Sequence, residues 1–245
     1  MKPFLLLATR HEDEAADDEY AGFLAAGHLA PEHLHRVRLE AAPLPPIDLA
    51  HYSGIIVGGS PFNASDPPEA KAPVQHRVER ELGGLLERVL AADFPLLGAC
   101  YGIGLLTRHL NGALDGSWAE PVGPTWISLT GEGAVDQLFG RLPPTFEAFV
   151  GHKEACSTLP AGAVLLATGP ACPVQAFRVG RNVYATQFHP ELTNAGILTR
   201  IRVYREYGYF DAEGMDAIIA SVEASSVTEP AHLMKAFVER FGTES

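Results

Sequence analysis

The distribution of apolar residues points to a doubly wound α/β fold: a largely parallel central sheet with some antiparallel strands and helices on both faces. Short unbroken apolar runs at Phe4–Ala8, Gly54–Val57 and residues 94–99 suit strands buried on both sides. Segments with apolar residues three and four apart follow such runs, as expected of helices that cover a sheet. The middle third carries a series of short β-type runs with few helices between them, which makes that part of the sheet mixed.

Taken in order, Phe4–Ala8 opens the sheet. The acidic stretch 12–19 reads as solvated surface, because clustered like charges favour water. A helical pattern runs from Tyr20 to about Leu29, before the turn-rich Pro43, Pro45 and Pro46. After Gly54–Val57, residues Val78, Leu82, Leu85, Leu86 and Val89 form the oily face of an amphipathic helix. The strand at 94–99 leads into a helix marked by Ile103, Leu105, Leu106 and Leu110, which stops near Asn111 and Gly112. Strand and helix in alternation imply parallel pairing with right-handed crossovers.

Runs at 126–129, 146–150, 164–167, 174–179 and 183–188 supply the later strands. The last two are joined through Gly180, which is free to take positive φ in a hairpin turn. Beyond Pro190 the pattern is helical, with stripes at Ile197, Leu198, Ile201 and Tyr204, at Met215, Ile218, Ile219 and Val222, and at Leu233, Met234, Phe237, Val238 and Phe241. Pro230 is placed to open the third. At 245 residues the chain is read as a single unit, with a core at about 4–192 and a helical extension at about 193–245.

Composition excludes several functions. The formal net charge is −12 and no Lys/Arg cluster stands out, which argues against nucleic acid or an anionic membrane as partner. Residues 4–8 are too short for a signal-peptide core, so a cytoplasmic location is expected. Cys100, Cys156 and Cys172 are an odd number at spacings that suit neither a zinc site nor a disulfide framework, and no metal is expected. Cys156 and Cys172 read as packing residues.

Cys100 differs. A buried strand runs into it, Gly98 and Gly102 flank it two positions either side, and a helix begins at once. That is the form of a nucleophile elbow, a strained turn that lifts the side chain clear of the sheet edge. The helix N-terminus faces the sulfur, which should favour thiolate over thiol. Attack on an amide also needs an imidazole to serve the departing amine. His189 follows the run at 183–188 and precedes Pro190, so its ring should sit at a strand end, where ligand sites of open α/β sheets lie. Glu191 is placed to accept from the second ring nitrogen and fix the tautomer.

Three motifs occur in order: Gly58-Gly59-Ser60-Pro61, Gly98-Ala99-Cys100-Tyr101-Gly102 and Gln187-Phe188-His189-Pro190-Glu191. In carrying them, the chain resembles the class I, or triad-type, glutamine amidotransferase family over about residues 4–192, particularly members similar to the glutaminase domain of GMP synthase. The resemblance implies a flavodoxin-like fold with extra C-terminal helices, glutamine or another γ-glutamyl compound as substrate, and no cofactor. It implies Cys100 as nucleophile, His189 as proton shuttle and Glu191 as its orienting partner. The backbone N–H groups of Gly59 and Tyr101 would hold the oxyanion, with Gly58 in the same substrate loop. Gly151 and His152 would contribute to the wall around the amino-acid part of the substrate, while Lys153 and Glu154 read as solvated charges.

One position departs from the family pattern. Relatives usually carry glutamine four residues after the nucleophile, in contact with substrate; this chain has Gly104. The expectation is a wider pocket there. Two enzyme readings follow. A glutaminase-type amidotransferase would need a separate synthase subunit to receive ammonia, since nothing after Glu191 offers a nucleotide-binding signature. A γ-glutamyl peptidase or hydrolase would need no partner. A catalytically idle regulatory or binding protein of the same fold is the third reading, and oligomerisation stays open.

Overall fold

The computed structural model describes residues 1–205 and 214–242. Its elements in chain order are β1 (Phe4–Ala8), α1 (Asp13–Gly27), β2 (Leu34–Arg38), β3 (Gly54–Val57), α2 (Pro73–Ala92), β4 (Leu96–Ala99), α3 (Tyr101–His109) and β5 (Ala113–Asp115). There follow β6 (Glu120–Leu129), α4 (Gly131–Val135), β7 (Thr145–His152), β8 (Ala155–Thr158), β9 (Val164–Thr168), β10 (Ala176–Val179) and β11 (Val183–Thr186). The C-terminal part holds α5 (Asn194–Val203), α6 (Met215–Ala224) and α7 (Pro230–Phe241). Residues 206–213 and 243–245 of the expected extension lie outside the described residues.

The main sheet has nine strands in the order β2-β1-β3-β4-β11-β10-β9-β6-β7. The pairings from β2 through β11 are parallel and those from β11 through β7 antiparallel, which is the mixed sheet expected. Side chains alternate across it. Phe4, Leu6, Ile56 and Leu97 face the cluster that includes Phe23 of α1 and Leu233 and Phe237 of α7. Leu5, Leu7, Ile55 and Leu96 face α2 and α3 through Val78, Leu82, Leu86, Ile103 and Leu106. The sheet is therefore doubly wound. Phe149, Leu192, Ile197, Ile201 and Val222 form a third cluster beneath α5 and α6.

Two strand groups escape the hydrophobic pattern. β2 reads Leu-His-Arg-Val-Arg and is an edge strand, held by backbone pairing to β1 more than by apolar burial. β5 and β8 form a separate two-stranded sheet of short, partly exposed pieces. The Gly180 turn is as expected, with φ 59, and Asp93 caps it by accepting from the Arg181 and Asn182 amides. Pro230 stands in the first turn of α7.

The acidic stretch is not simply solvated surface. α1 starts at Asp13, and its period carries Ala15, Ala16, Glu19 and Phe23 inward together. Glu19 is fully buried, where Arg10 supplies the counter-charge. Among the described residues, no helix is long and apolar enough to cross a membrane.

Candidate active site

Cys100 sits between β4 and α3 at φ 51, ψ −91, a conformation rarely adopted by a residue with a Cβ. The elbow is tight: a Cβ on Gly98 would lie 3.0 Å from the backbone of Gly102, whereas one on Gly102 would meet Val57 at an ordinary 3.4 Å, so the close approach constrains Gly98. The Cys100 amide donates to Thr186 O at 2.8 Å and so extends the β4–β11 pairing by one rung. Three residues past Thr186, His189 donates its own amide to Phe149 O at 3.1 Å. Cys100 and His189 thus leave neighbouring parallel strands at the same end, and both line one cleft.

His189 Nδ1 is 2.9 Å from Glu191 Oε1, and both side chains are buried. Arg200 on α5 joins them: one guanidinium nitrogen donates to Glu191 Oε1 at 2.8 Å and the other lies 3.0 Å from His189 Nδ1. The carboxylate requires a proton on Nδ1, which leaves Nε2 as the basic nitrogen. Burial acts against the Glu191 charge, but His189 and Arg200 outweigh it and hold the carboxyl well below its usual range. Burial also lowers His189, with Glu191 opposing and Arg200 reinforcing, so the imidazole is neutral at pH 7. For Cys100, burial pushes the thiol up to about 12 despite Arg10 and Arg200. Burial thus opposes the thiolate that the helix N-terminus is expected to favour, in a cleft that holds a neutral imidazole.

The loop after β3 brings Gly59 against the histidine: a Cβ there would stand 2.7 Å from His189 Cε1. Its amide, however, donates to Glu19 Oε1 at 3.0 Å, so the expected oxyanion donor is already engaged. Arg10 Nε also donates to Glu19 Oε1, at 2.8 Å, and Arg10 Nη1 donates to Tyr204 Oη at 3.1 Å. Gly58 packs on Glu19 and does not line the cleft, contrary to its expected place at the substrate. Tyr101 is the first residue of α3, where an amide has no intrahelical acceptor.

Gly151 lines both arms of the cleft. His152 lines one of them, but its ring is turned inward: Nδ1 is 2.9 Å from Glu154 O and Nε2 is 3.0 Å from Glu120 Oε2. Gln175 Nε2 donates to the same Glu120 oxygen. Glu120, His152 and Cys172 bring an oxygen, a nitrogen and a sulfur within 4.8 Å of one another, and this structure spends the first two on hydrogen bonds. Gly104 does not widen the cleft. A Cβ there would lie 2.9 Å from Glu154 Oε1, whose carboxylate fills the space. Glu154 is 9% exposed and no solvated charge, because the Ala64 and Ser65 amides donate to it at 2.7 and 2.6 Å. Lys153 is exposed, as expected.

Arg10, Glu19, Glu154, Arg200 and Tyr204 were not singled out by the sequence. A signal exists for two of them. Arg200 interrupts the apolar stripe Ile197, Ile201, Tyr204, and Glu19 interrupts Ala15, Ala16, Phe23; a charge inside a helical apolar stripe must find a buried partner.

Fold and site together describe an α/β protein built around a cysteine elbow, with a histidine–carboxylate pair just past the end of the adjoining strand. The sequence profile of "Glutamine amidotransferase class-I" matches residues 33–196, and the chain belongs to that family. It is 30% identical over 150 residues to a GMP synthase [glutamine-hydrolyzing] of Actinobacillus succinogenes, covering 58% of this chain and 26% of that protein. A GMP synthase [glutamine-hydrolyzing] of Syntrophomonas wolfei is 32% identical over 116 residues, covering 47% and 22%. The chain thus matches about a quarter of the length of these relatives. A glutamine amidotransferase structure from Thermotoga maritima superposes with TM-score 0.77 at 19% identity, over 98% of both chains. One from Methylobacillus flagellatus superposes with TM-score 0.74 at 19% identity, over 100% of this chain and 97% of that one. At those identities the likeness concerns the fold.

Proposed function

We propose that this chain hydrolyses the side-chain amide of glutamine, releasing ammonia and glutamate through a γ-glutamyl thioester on Cys100. The observation that supports it most is the pairing of a strained elbow cysteine with the buried His189–Glu191 pair, from adjacent strand ends, on one cleft. His189 Nε2 takes the thiol proton as the sulfur attacks the amide carbon, which suits a high thiol and a neutral imidazole. Glu191 holds the ring and stabilises the imidazolium as it forms.

The imidazolium returns its proton to the departing ammonia, and water then attacks the thioester with His189 again as base. The Tyr101 amide, at the start of α3, is the oxyanion donor of this scheme. The Gly59 amide joins it when the loop exchanges Glu19 for the oxyanion. Residues 4–192 and the helices that follow act as one unit here, because Arg200 and Tyr204 reach back to the site. If the ammonia serves a synthesis as in the GMP synthases, the acceptor half lies outside these 245 residues.

The test is a release assay that follows ammonia and glutamate from glutamine, with γ-glutamyl dipeptides alongside and Cys100→Ala as control. Equal release of both products from glutamine by the wild type, lost in the variant, is the expected result. Release from dipeptides with none from glutamine would overturn the choice of substrate, and release that survives Cys100→Ala would overturn the mechanism.

A further inference from the structure

His152 lines one arm of the cleft, and its inward ring meets a buried set of mixed donors. Glu120 opens β6 and His152 ends β7, and the two stand opposite each other in the antiparallel register. The connection from β9 to β10 brings Cys172 against them, in a turn where the Gly169 amide donates to Cys172 O at 2.9 Å. Gln175 follows in the same connection. All four side chains are buried, and the Glu120 oxygen, His152 nitrogen and Cys172 sulfur lie within 4.8 Å of one another. They are spread from position 120 to position 175, at no spacing that a metal motif would show.

Hydrogen bonds alone leave this set incomplete. His152 Nδ1 faces the Glu154 carbonyl oxygen at 2.9 Å, which can only accept, so that nitrogen carries the proton of a neutral ring. Nε2 then turns a lone pair toward Glu120 Oε2, 3.0 Å away. Gln175 places its amide nitrogen 2.5 Å from the same oxygen, while its own Oε1 is buried with no hydrogen-bond partner among the described residues. The Cys172 thiol reaches Val174 O only at 3.5 Å. The ion pair described for Glu120 is with His152, and the neighbouring Lys153 is exposed on the cleft. A second proton on the ring would satisfy Nε2, but it would leave Gln175 Oε1 as it is.

We infer that Glu120, His152, Cys172 and Gln175 form a binding site for a zinc ion. Carboxylate oxygen, imidazole nitrogen and thiolate sulfur are the usual donors to zinc, at about 2.0–2.3 Å, and a modest closing of these side chains reaches such distances. A bond from Nδ1 to a carbonyl is the arrangement that holds a ligating histidine with Nε2 toward the metal. Turning the Gln175 amide over brings Oε1 to the fourth position. Cys172 releases its proton to water as it binds, so the divalent ion meets one carboxylate and one thiolate, and the buried centre carries no net charge. With all four positions filled by protein donors the ion is structural, tying β6, β7 and the β9–β10 connection together behind the cleft wall at 151–154. The inference does not depend on the reading of Cys100.

The experiment uses the untagged full-length Cys100→Ala protein, so that the cleft thiol does not compete. It is stripped with a chelator under reducing conditions and titrated with cobalt(II). One equivalent should bind, with the thiolate-to-metal band in the near ultraviolet and the intense visible bands of four-coordinate cobalt. Zinc should displace the cobalt and raise the melting temperature. Adding Cys172→Ser should abolish the thiolate band and weaken binding by at least about 10-fold, whereas adding Cys156→Ser should change neither. Glu120→Gln serves if Cys172→Ser folds poorly, and should weaken binding by a similar factor with the thiolate band retained. A protein that takes up neither metal would have His152 as an imidazolium held by Glu120 through hydrogen bonds, and would overturn the inference. A thiolate band that survives Cys172→Ser would overturn it as well.

Discussion

At Cys100 the backbone is held at φ 51, ψ −91, and such a conformation costs a residue with a Cβ of order 1–3 kcal/mol. Glycine escapes much of that cost. Replacing the side chain should therefore separate strain from chemistry: in chemical denaturation Cys100→Gly is expected to be more stable than Cys100→Ala, by about 1 kcal/mol, and so to unfold at a higher midpoint, with both inactive. Equal midpoints would mean that the elbow stores no strain. The sulfur was legible in the sequence because glycines and an abrupt strand-to-helix change surround it. Its protonation was not, because the helix N-terminus could be read from the residues, whereas the burial that pushes the thiol up to about 12 comes from packing by segments far along the chain.

The same packing sets the histidine. Burial and Arg200 lower His189 from its ordinary 6.5, so the acid limb of kcat/KM is expected below pH 6.5. Arg200→Ala removes one of the cations that disfavour the imidazolium, and the acid limb should move upward, by about one pH unit. A limb that stays in place, measured across pH 4.5 to 8 on glutamine, would show that Arg200 acts on Glu191 alone.

At the scale of elements, α1 and α5 each carry one charged residue within an apolar stripe, and the two converge on the site. Glu19 accepts from Arg10 and from the Gly59 amide, and Tyr204 accepts from Arg10 one turn beyond Arg200. Helix periodicity made the stripes readable, but not which charge would be turned inward, since that depends on Arg10 following β1 closely enough to meet Glu19. Glu19→Ala leaves the Arg10 guanidinium buried without its counter-charge and should cost about 3–5 kcal/mol of stability in chemical denaturation. A loss under 1 kcal/mol would show that water or Tyr204 compensates. β2 was missed for a related reason. Leu-His-Arg-Val-Arg shows neither an apolar run nor an alternation, and its place is fixed by register with β1, a non-local fact.

Across the whole molecule, topology does what no single motif can. Nearly ninety positions separate Cys100 from His189 in the sequence, yet β4 and β11 are neighbours in the sheet and end together. Parallel pairing was legible from the alternation of strand and helix, and the hairpin at Gly180 showed that β10 and β11 lie side by side. The insertion of β11 next to β4 was not readable from local pattern, because it is decided by which apolar faces close the core. The Glu154 carboxylate over Gly104 belongs to the same kind of fact, joining the turn after β7 to the first turn of α3.

The most direct measurement is mass spectrometry of the protein after exposure to a chloroketone analogue of glutamine, which carries an electrophile where the amide would be. One adduct, on the Cys100 peptide, lost in Cys100→Ala and formed much more slowly in His189→Gln, is what this arrangement predicts. Labelling at Cys156 or Cys172 in place of Cys100, or labelling of Cys100 at an unchanged rate without the imidazole, would contradict it.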